Sequence, residues 1–395
     1  MTRLGDAPES TGEPKVRAEQ DSTGLTLYHD SWPVELGEDW TPLLEFFGFD
    51  PERFEVEDDS VKVGKWQQSK GHKDGSRDVV WLYSYRARFR RRTAADDALD
   101  LGLEEAAVQV RKWKPRRTTT KTTSGAPVTF VHHQGDEQTG KAEGGGLDGL
   151  AEREAATLQR SLDRLTELLK AGHNVEAILD LSAGDRVENI VGHYASQPRT
   201  TATLRKQLKF ARDMDLARTK AFAWFGLPII KAYTPSNHGE IRPGLSMSPT
   251  TSESDNLDLV IAESVKDVLE AAGYSEQVQF LIPHDEWLTR VTTSGVNIGL
   301  THGHKAGSKP ILKWVTDQAA YWHRHHDFRI DIIATGHLHH GHVEDAGGMW
   351  LIQPSALDGG SPYFEALAGQ KAAGGALTYL VGEHLPWKWS NLCPV

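Results

Sequence analysis

The fold is decided by the stretch IDIIATGHLHH, residues 330–340. A short run of mostly apolar residues leads there into a turn at Gly336 and then into three histidines. Apolar runs of about four to eight residues that end in such a turn predict buried β-strands. Nine of the 18 histidines in the chain lie between His302 and His342. This clustering indicates that the end of the strand carries chemistry.

Four upstream stretches repeat this pattern of an apolar run followed by polar or glycine-containing residues. They are PVTFVHHQGD (127–136), AILDLSAGD (177–185), LPIIKAYTPSNHGE (227–240) and VNIGLTHGH (296–304). Segments with a helical spacing of apolar residues lie between them, at 150–169, 203–225, 257–272 and 309–326. Strands that alternate with helices predict a layered α/β domain.

Composition bounds the class of protein. The 395 residues include 38% hydrophobic and 25% charged side chains, which excludes wholesale disorder. The net charge of −11 argues against a protein that coats nucleic acid through bulk charge. Cys393 is the single cysteine, so no intramolecular disulfide forms and no oxidising compartment is needed.

The N-terminal sequence and the hydropathy pattern bear on location. Residues 1–24 are polar and contain no apolar segment of the kind found in secretory signals. No apolar run approaches the roughly 18 residues that a membrane-spanning helix needs. We therefore expect a cytoplasmic protein without a membrane span, in the host cell if a bacteriophage encodes the chain.

Shifts in composition divide the chain into four parts. We predict a disordered tail at 1–24, a small α+β module at 25–110, a basic linker at 111–126 and the α/β domain at 127–395. Within the module, alternation along residues 79–90 puts aromatic residues on one face and Arg86, Arg88 and Arg90 on the other. This arginine row has two interpretations, a solvated strand face and a surface that contacts nucleic-acid phosphates.

Potential metal ligands follow each predicted strand of the α/β domain. They are Asp136 and Gln138, then Asp185, then Asn237 with His238 beside it, then His302, and finally His337 and His339. Ligand sites in open α/β sheets lie at the carboxyl ends of strands, so we expect these side chains to meet. Carboxylate, amide and imidazole groups suit Mn²⁺, Fe or Zn²⁺, and a central carboxylate can bridge two cations about 3.5–4 Å apart.

The order of these motifs resembles that of the calcineurin-like metallophosphoesterase superfamily, whose signature is D-x-H, G-D-x-x-[DE], G-N-H-[DE], a lone H and G-H-x-H. The corresponding stretches are DEQ at 136–138, GDRVE at 184–188, SNHGE at 236–240, THGH at 301–304 and GHLHH at 336–340. The resemblance covers residues 127–382, about two-thirds of the chain. Within the superfamily the chain looks most similar to SbcD-type repair nucleases and to phosphoesterases of bacteriophages.

The resemblance implies a four-layer α/β/β/α sandwich and two divalent metal ions, with Mn²⁺ favoured and Fe or Zn²⁺ as alternatives. The implied ligands are Asp136, Gln138, Asp185 and His339 for the first metal, and Asp185, Asn237, His302 and His337 for the second. Asp185 would bridge the metals, and a hydroxide held between them would attack phosphorus. His238 would act at the leaving-group oxygen, as a general acid or by stabilising charge. His304 is the alternative to His302, which lies nearer the strand end.

Three positions depart from the superfamily pattern. Gln138 replaces a histidine, and because a neutral amide oxygen binds cations more weakly, we expect a labile first metal. Ser236 replaces a glycine, which changes only the turn. One extra residue separates His238 from Glu240, so the role of Glu240 stays open.

The favoured function is a dimetal phosphodiesterase or nuclease that acts on DNA or RNA. Two alternatives stay open. One is a phosphomonoesterase, such as a protein or nucleotide phosphatase; the other is a nucleic-acid-binding protein with a degraded metal site, supported only by Gln138. SbcD-type nucleases dimerise and work with an ATPase, so the resemblance leaves open a homodimer and a separate ATPase partner. The sequence shows no coiled-coil or P-loop segment that would indicate an ATPase within this chain.

Overall fold

The computed structural model describes residues 15–20, 24–37, 39–49, 51, 54–57, 60–71, 77–91, 102–114, 125–190, 200–241, 252–307, 309–360 and 374–395. The chain divides into two compact units, Met1–Asp100 and Leu101–Val395, and each is described by itself. Most of the predicted tail and linker, residues 1–14, 21–23 and 115–124, lies outside the described residues.

A five-stranded antiparallel sheet forms the first unit. Its strands are β1 (Val16–Gln20), β2 (Gly24–Trp32), β3 (Phe54–Val56), β4 (Lys62–Gly71) and β5 (Arg77–Arg91), and the short helix α1 covers Thr41–Phe46. Strand β5 is central, because β2, β3 and β4 all pair with it. Tyr85, Ala87 and Phe89 are buried, so the predicted apolar face of β5 is the core face over this part.

The beginning of β5 departs from the predicted burial. Val79 and Trp81 continue the apolar face, but they are 56% and 46% exposed. Residues 77–82 pair with β4 alone among the described strands, whereas β2 pairs with β5 only from Tyr83 onward. The strand therefore extends past the core of the unit, and alternation by itself does not bury this part.

Strand β1 lies inside the segment 1–24 that the sequence predicted to be a disordered tail. Its residues pair with β2 in antiparallel register, from Val16 opposite His29 to Gln20 opposite Leu25. Main-chain hydrogen bonds form this pairing, and they require no apolar pattern. The polar composition of the segment therefore gave no indication that it forms a strand.

The second unit has the mixed α/β structure that the sequence predicted. Its helices are α2 (Leu103–Val110), α3 (Gly146–Lys170), α4 (Leu204–Ala223), α5 (Leu257–Ala271) and α6 (Ile311–His326). Its strands are β6 (Val128–Gln134), β7 (Val175–Ser182), β8 (Ile229–Tyr233), β9 (Val278–Leu281), β10 (Thr289–Thr293), β11 (Val296–Leu300), β12 (Ile332–Ala334), β13 (His342–Asp345), β14 (Trp350–Gln353), β15 (Leu377–Val381) and β16 (Trp389–Pro394). None of the described helices is long and apolar enough to cross a membrane.

These strands form two sheets that share an apolar core. The six-stranded sheet has the order β16-β15-β6-β7-β8-β9, and the five-stranded sheet has the order β10-β11-β12-β14-β13. Val131 and Leu179 of the first sheet belong to one buried cluster with Ile298 and Ile332 of the second. Helices α2 to α5 enclose a second core against the six-stranded sheet, and α6 packs on the five-stranded sheet through Trp314.

Helix α2 belongs to this second unit, although the sequence predicted that the small module extends to residue 110. Ala107 and Val110 are buried in the core that α3, α4 and α5 share. The helix is amphipathic, and its apolar side needs a partner that the sequence does not identify.

Parallel pairing brings the predicted motifs to one edge of each sheet. Strands β6, β7 and β8 run parallel, and so do β11, β12 and β14. Neighbouring parallel strands end on the same side, so the residues that follow them come together. The turns after β6, β7, β8, β11 and β12 carry the candidate ligands.

Candidate metal centre

The turns after the strands hold several candidate ligands in an unusual backbone conformation. Asp136, Gln138, Asp185, His337 and His339 have φ angles of 55°, 43°, 53°, 76° and 61°. Positive φ is uncommon outside glycine, and such residues concentrate at functional sites, where the surrounding structure enforces them. Five left-handed residues at one edge of the sheets mark this edge as the candidate site.

The structure brings the predicted ligands into two groups that share one residue. Ligand atoms of Asp185, His302 and His337 lie within 4.8 Å of one another, and so do those of Asp136, Asp185 and His339. Asp136, Asp185 and His302 are fully buried, and the other two histidines are partly buried. A carboxylate common to two such groups is arranged as a bridge between two cations.

The second group fits a cation in the chemistry of its donors. The Nδ1 atom of His302 donates to the carbonyl oxygen of Ala183 at 2.7 Å, so Nε2 is the atom that faces Asp185, at 3.1 Å from Oδ2. A histidine that donates its other ring N–H to a carbonyl is oriented as metal-binding histidines are. The Oδ1 atom of Asn237 is buried and has no hydrogen-bond partner among the described residues.

Electrostatics in this group favour exchange of a proton for a metal. Burial lowers the pKa of His302, but the charges of Asp185 and Asp136 outweigh it and raise the pKa to about 9. For Asp185, burial raises the pKa, but the charges of His302 and His238 outweigh this effect and hold the pKa well below its usual range. A ligand set that holds a proton between carboxylates and imidazole releases it when a cation binds.

In contrast to His302, His337 and His304 have lowered pKa values. Burial and the charge of His302 lower the pKa of His337 to about 4 and that of His304 to about 2. The ring of His304 lies 5.4 Å from that of His302 and 6.4 Å from that of His337, measured between centroids. His302 is the residue in the metal-ligating group, and His304 lies next to it.

The first group is built around Asp136. Its carboxylate accepts hydrogen bonds from the backbone N–H of His337, at 3.0 and 3.1 Å, and lies 3.4 Å from Nε2 of His339. Burial raises the pKa of Asp136 despite the charges of His339 and His302. The Nδ1 atom of His339 lies 3.3 Å from Oδ2 of Asp358, a carboxylate that the sequence analysis missed.

Gln138 adjoins this group but has other polar partners. Lys141 donates from Nζ to Gln138 Oε1 at 2.9 Å, and it also donates to Asp358. On the other side, Gln138 Nε2 lies 3.4 Å from Nε2 of His238. Sequence reasoning missed Lys141 as well, although its place three residues after Gln138 on a tight turn was a usable signal.

His238 lies at the rim of both groups. Its backbone N–H donates to Asp185 Oδ1 at 2.9 Å, and its Nε2 lies 3.9 Å from Asp185 Oδ2. Its Nδ1 lies 3.3 Å from the carbonyl oxygen of Glu188, which can only accept, so Nδ1 carries a proton. Nε2 is therefore the atom that could face a leaving group, and that role stays a prediction.

Behind the ligands, a fully buried ionic network fixes the turns. Arg186, next to Asp185, lies 3.3 Å from Glu137 and 2.6 Å from Asp215. Lys231 also contacts Asp215, at 2.7 Å between Nζ and Oδ1. Paired charges of this kind hold a local geometry because breaking one pair leaves an uncompensated buried charge.

The arginine row lies in the first unit. Arg88 Nε is 3.5 Å from Glu57 Oε2, and Arg90 pairs with Glu55, so acidic side chains balance both residues. Arg86 is exposed on the same strand. These pairs favour the interpretation of a solvated strand face over that of a phosphate-contacting surface.

No family model matches this chain, and no curated protein matches it. Several solved structures are similar to it. A novel archaeal phosphodiesterase is 10% identical over 68% of this chain and 100% of its own, with a TM-score of 0.30. Vps29 from Entamoeba histolytica complexed with zinc is 12% identical over 67% and 99%, with a TM-score of 0.26. PhoD is 11% identical over 95% and 86%, with a TM-score of 0.32. Matches this remote carry no argument about the chain, and the interpretation of the site rests on its geometry.

Proposed function

We propose that the chain is a metal-dependent hydrolase of phosphate esters. The observation that carries the proposal is the position of Asp185, whose carboxylate belongs to both groups of metal-ligating atoms. Centres in which two cations lie close together act on phosphate esters. The motif order, which resembles that of the calcineurin-like metallophosphoesterases, supports the same chemistry. The packing of the two sheets on each other, with helices against each sheet, supports the implied four-layer sandwich as part of the proposal.

Different side chains would bind the metals and transfer the proton in this reaction. Asp136, Gln138, Asp185 and His339 would hold the first divalent cation, and Asp185, Asn237, His302 and His337 the second. When bound, the cations supply positive charge for the phosphate and lower the pKa of a water molecule. His238 would protonate the leaving-group oxygen from Nε2, because the carbonyl of Glu188 keeps the proton on Nδ1.

For the substrate we propose a phosphodiester of DNA or RNA. The resemblance to SbcD-type nucleases supports this choice, whereas the basic strand that carries Arg86, Arg88 and Arg90 adds little because Glu57 and Glu55 pair with two of these arginines. Mn²⁺ is the proposed cation, with Fe or Zn²⁺ as alternatives, because carboxylate, amide and imidazole ligands suit all three.

A phosphomonoesterase is the second candidate, and one contact favours it. Lys141 places an ammonium group 2.9 Å from Gln138, beside the first group. A phosphate monoester carries more negative charge than a diester near neutral pH, so an additional cation at the site would favour the monoester. The ion pair between Lys141 and Asp358 offsets part of this effect, which is why the diester remains first.

Hydrolysis assays with Mn²⁺ test both candidates. End-labelled single- and double-stranded DNA, the corresponding RNA and a generic phosphate monoester are incubated with wild-type protein and with Asp185→Asn. Cleavage of nucleic acid by the wild type alone establishes a nuclease, and the product ladder separates exonucleolytic from endonucleolytic action. Turnover of the monoester alone selects the phosphatase. If no substrate reacts and no metal is retained, the proposal is wrong and the degraded-site alternative is favoured.

A further inference from the structure

We propose that Lys141 places a fixed positive charge on the first metal position, so that the centre binds its two cations unequally and fills the second position first. The first position is the one formed by Asp136, Gln138, Asp185 and His339, and the second is the one formed by Asp185, Asn237, His302 and His337. This inference rests on the metal centre proposed above. It assigns a role to a residue that no motif includes.

The contact between Lys141 and Gln138 carries the argument. Nζ donates to Oε1 at 2.9 Å, and an ammonium group has only donors, so the atom that faces it must be the amide oxygen. This oxygen is the atom that Gln138 would offer to a cation. A neutral ligand that already accepts a hydrogen bond from an ammonium group is a poor ligand for a second positive charge.

Lys141 is held in place from both its backbone and its side chain. Its N–H donates to the carbonyl oxygen of Gln138 at 3.0 Å, and its backbone also bridges to Thr200. Nζ pairs with Asp358, and the two side chains are only 12% and 2% exposed. The ammonium group therefore cannot move into solvent without leaving a buried carboxylate short of a partner.

Asp358 connects the lysine to a second predicted ligand of the first position. Its Oδ2 atom is the partner of Lys141 and also lies 3.3 Å from Nδ1 of His339. The carboxylate thus orients His339 while it fixes the ammonium group beside Gln138.

The second position lacks a comparable cation. Among the described residues, the ion pairs of Asp185 are with His238 and His302, and neither partner is a lysine or an arginine. The Oδ1 atom of Asn237 has no hydrogen-bond partner among those residues. One position therefore offers an unpaired amide oxygen, whereas the other offers an amide oxygen bound to an ammonium group.

Metal titration of the full-length apoprotein tests the inference. Mn²⁺ binding is followed by calorimetry, and bound metal is measured after dialysis at graded Mn²⁺ concentrations. For the wild type we expect one tightly bound equivalent and a second that is at least about tenfold weaker, as for a nearby unit charge at a partly buried site. In Lys141→Met the second equivalent should tighten by about tenfold, and in the control Lys141→Arg it should stay weak.

A matched pair of variants identifies which position is the tight one. His337→Ala removes a ligand of the second position only, so it should abolish the tight equivalent. His339→Ala removes a ligand of the first position only, so it should leave the tight equivalent unchanged. The inference would be overturned if His337→Ala kept the tight equivalent and His339→Ala lost it. This test does not depend on whether Lys141→Met folds.

The remaining outcomes separate this inference from the proposed function. Two equivalents of equal affinity in the wild type would contradict the inference and leave the hydrolase proposal standing. An unchanged second affinity in folded Lys141→Met would also contradict it. If the wild type binds no metal at any concentration used, the proposed function itself is wrong.

Discussion

The carboxylate of Asp258 accepts hydrogen bonds from the backbone N–H of Asp185, at 3.2 Å, and of Arg186, at 2.9 Å. It also accepts from the hydroxyl of Ser236 in the neighbouring turn. One residue at the beginning of helix α5 thereby joins the turn that carries the shared ligand to the turn that carries Asn237. Asp258 holds both turns but lies outside both groups of candidate ligand atoms.

Replacing this carboxylate should loosen the centre. For Asp258→Ala we expect metal affinity to fall about 10–100-fold, as for other residues that orient ligands. The backbone N–H groups of two buried residues also lose their acceptor, which should lower the free energy of unfolding by about 1–3 kcal/mol. Metal titration and urea unfolding measure the two effects. Asp267→Ala, at an exposed position of the same helix, serves as the control and should change neither.

If His238 acts on the leaving group as proposed, its replacement should affect catalysis but not metal binding. In His238→Ala we expect turnover to fall by about 10²–10⁴-fold, the usual contribution of a positioned acid, while metal content stays at the wild-type level. The reason is that Nε2 of His238 lies outside both ligand groups, 3.9 Å from Asp185. Steady-state kinetics and metal analysis on the same sample check this. Loss of metal together with activity would show that His238 is a ligand.

Gly184 should tolerate no side chain. Its φ is +88°, and an added Cβ would lie 2.7 Å from Cβ of Ser236 and 2.9 Å from Nδ1 of His302. Gly172→Ala is the matched control, since Gly172 has a φ of +89° and nothing within 4 Å of the added atom. The left-handed backbone should destabilise both variants by about 1 kcal/mol, and the clash should destabilise Gly184→Ala by about 1–3 kcal/mol more. Equal melting temperatures would refute the steric argument.

The buried network behind the ligands should make the protein sensitive to acid. Burial raises the pKa of Asp215, but the charges of Lys231, Arg186 and Arg218 outweigh it and hold the pKa well below its usual range. A carboxylate with a lowered folded-state pKa contributes stability above its unfolded-state pKa of about 3.9, and this contribution disappears as the pH falls toward the folded-state value.

Asp215→Asn measures that contribution. At pH 7 it should cost about 3–5 kcal/mol, because it leaves buried cations without their partner, and the difference from wild type should shrink below about pH 4. Urea unfolding between pH 3 and 7 checks the prediction. The control Asp317→Asn removes an exposed ion pair with Lys313 and should change the free energy of unfolding by no more than about 1 kcal/mol. A difference that is constant with pH would contradict the electrostatic origin.

The arginine row of the first unit gives a test of nucleic-acid binding. If Arg86, Arg88 and Arg90 bind phosphates, changing all three to Gln should weaken DNA binding and reduce the slope of log K against log salt by about 0.9 for each phosphate that is no longer neutralised. Because Glu57 pairs with Arg88 and Glu55 pairs with Arg90, we expect only a small change in this slope. An unchanged slope would assign the row to a solvated strand face.

The sequence alone predicted the alternation of strands and helices in the second unit and the proximity of several candidate ligands, although not their roles. Each strand from β6 to β12 that carries a motif is a compact apolar run. Parallel pairing brings Asp136 and Asp185 to one edge of the six-stranded sheet, and packing of the two sheets brings His302 to the same place. These signals are local, since each strand and its ligand lie within about ten residues.

Other parts of the site could not be predicted because they depend on contacts between distant segments. Lys141 and Asp358 are separated by 217 positions, and neither belongs to a recognisable motif. Asp258 lies in the first turn of a helix, 73 residues after Asp185, whose backbone it binds. A carboxylate at that position is ordinarily explained by its favourable interaction with the helix N-terminus, so the sequence offered no reason to place it at the site. Val79 and Trp81 show a different kind of error. The alternation of apolar residues along β5 is real, but it predicted burial for two residues that the sheet leaves exposed.

The membership of Asp185 in both groups has a thermodynamic consequence. A ligand shared by two binding sites links their equilibria, so occupation of one changes the affinity of the other by a factor that is the same in both directions. If both groups hold a cation, constants fitted for independent sites are therefore apparent values, because each depends on the occupancy of the other site. An inhibitor that withdraws one cation would then also shift the dissociation constant of the cation that it does not contact.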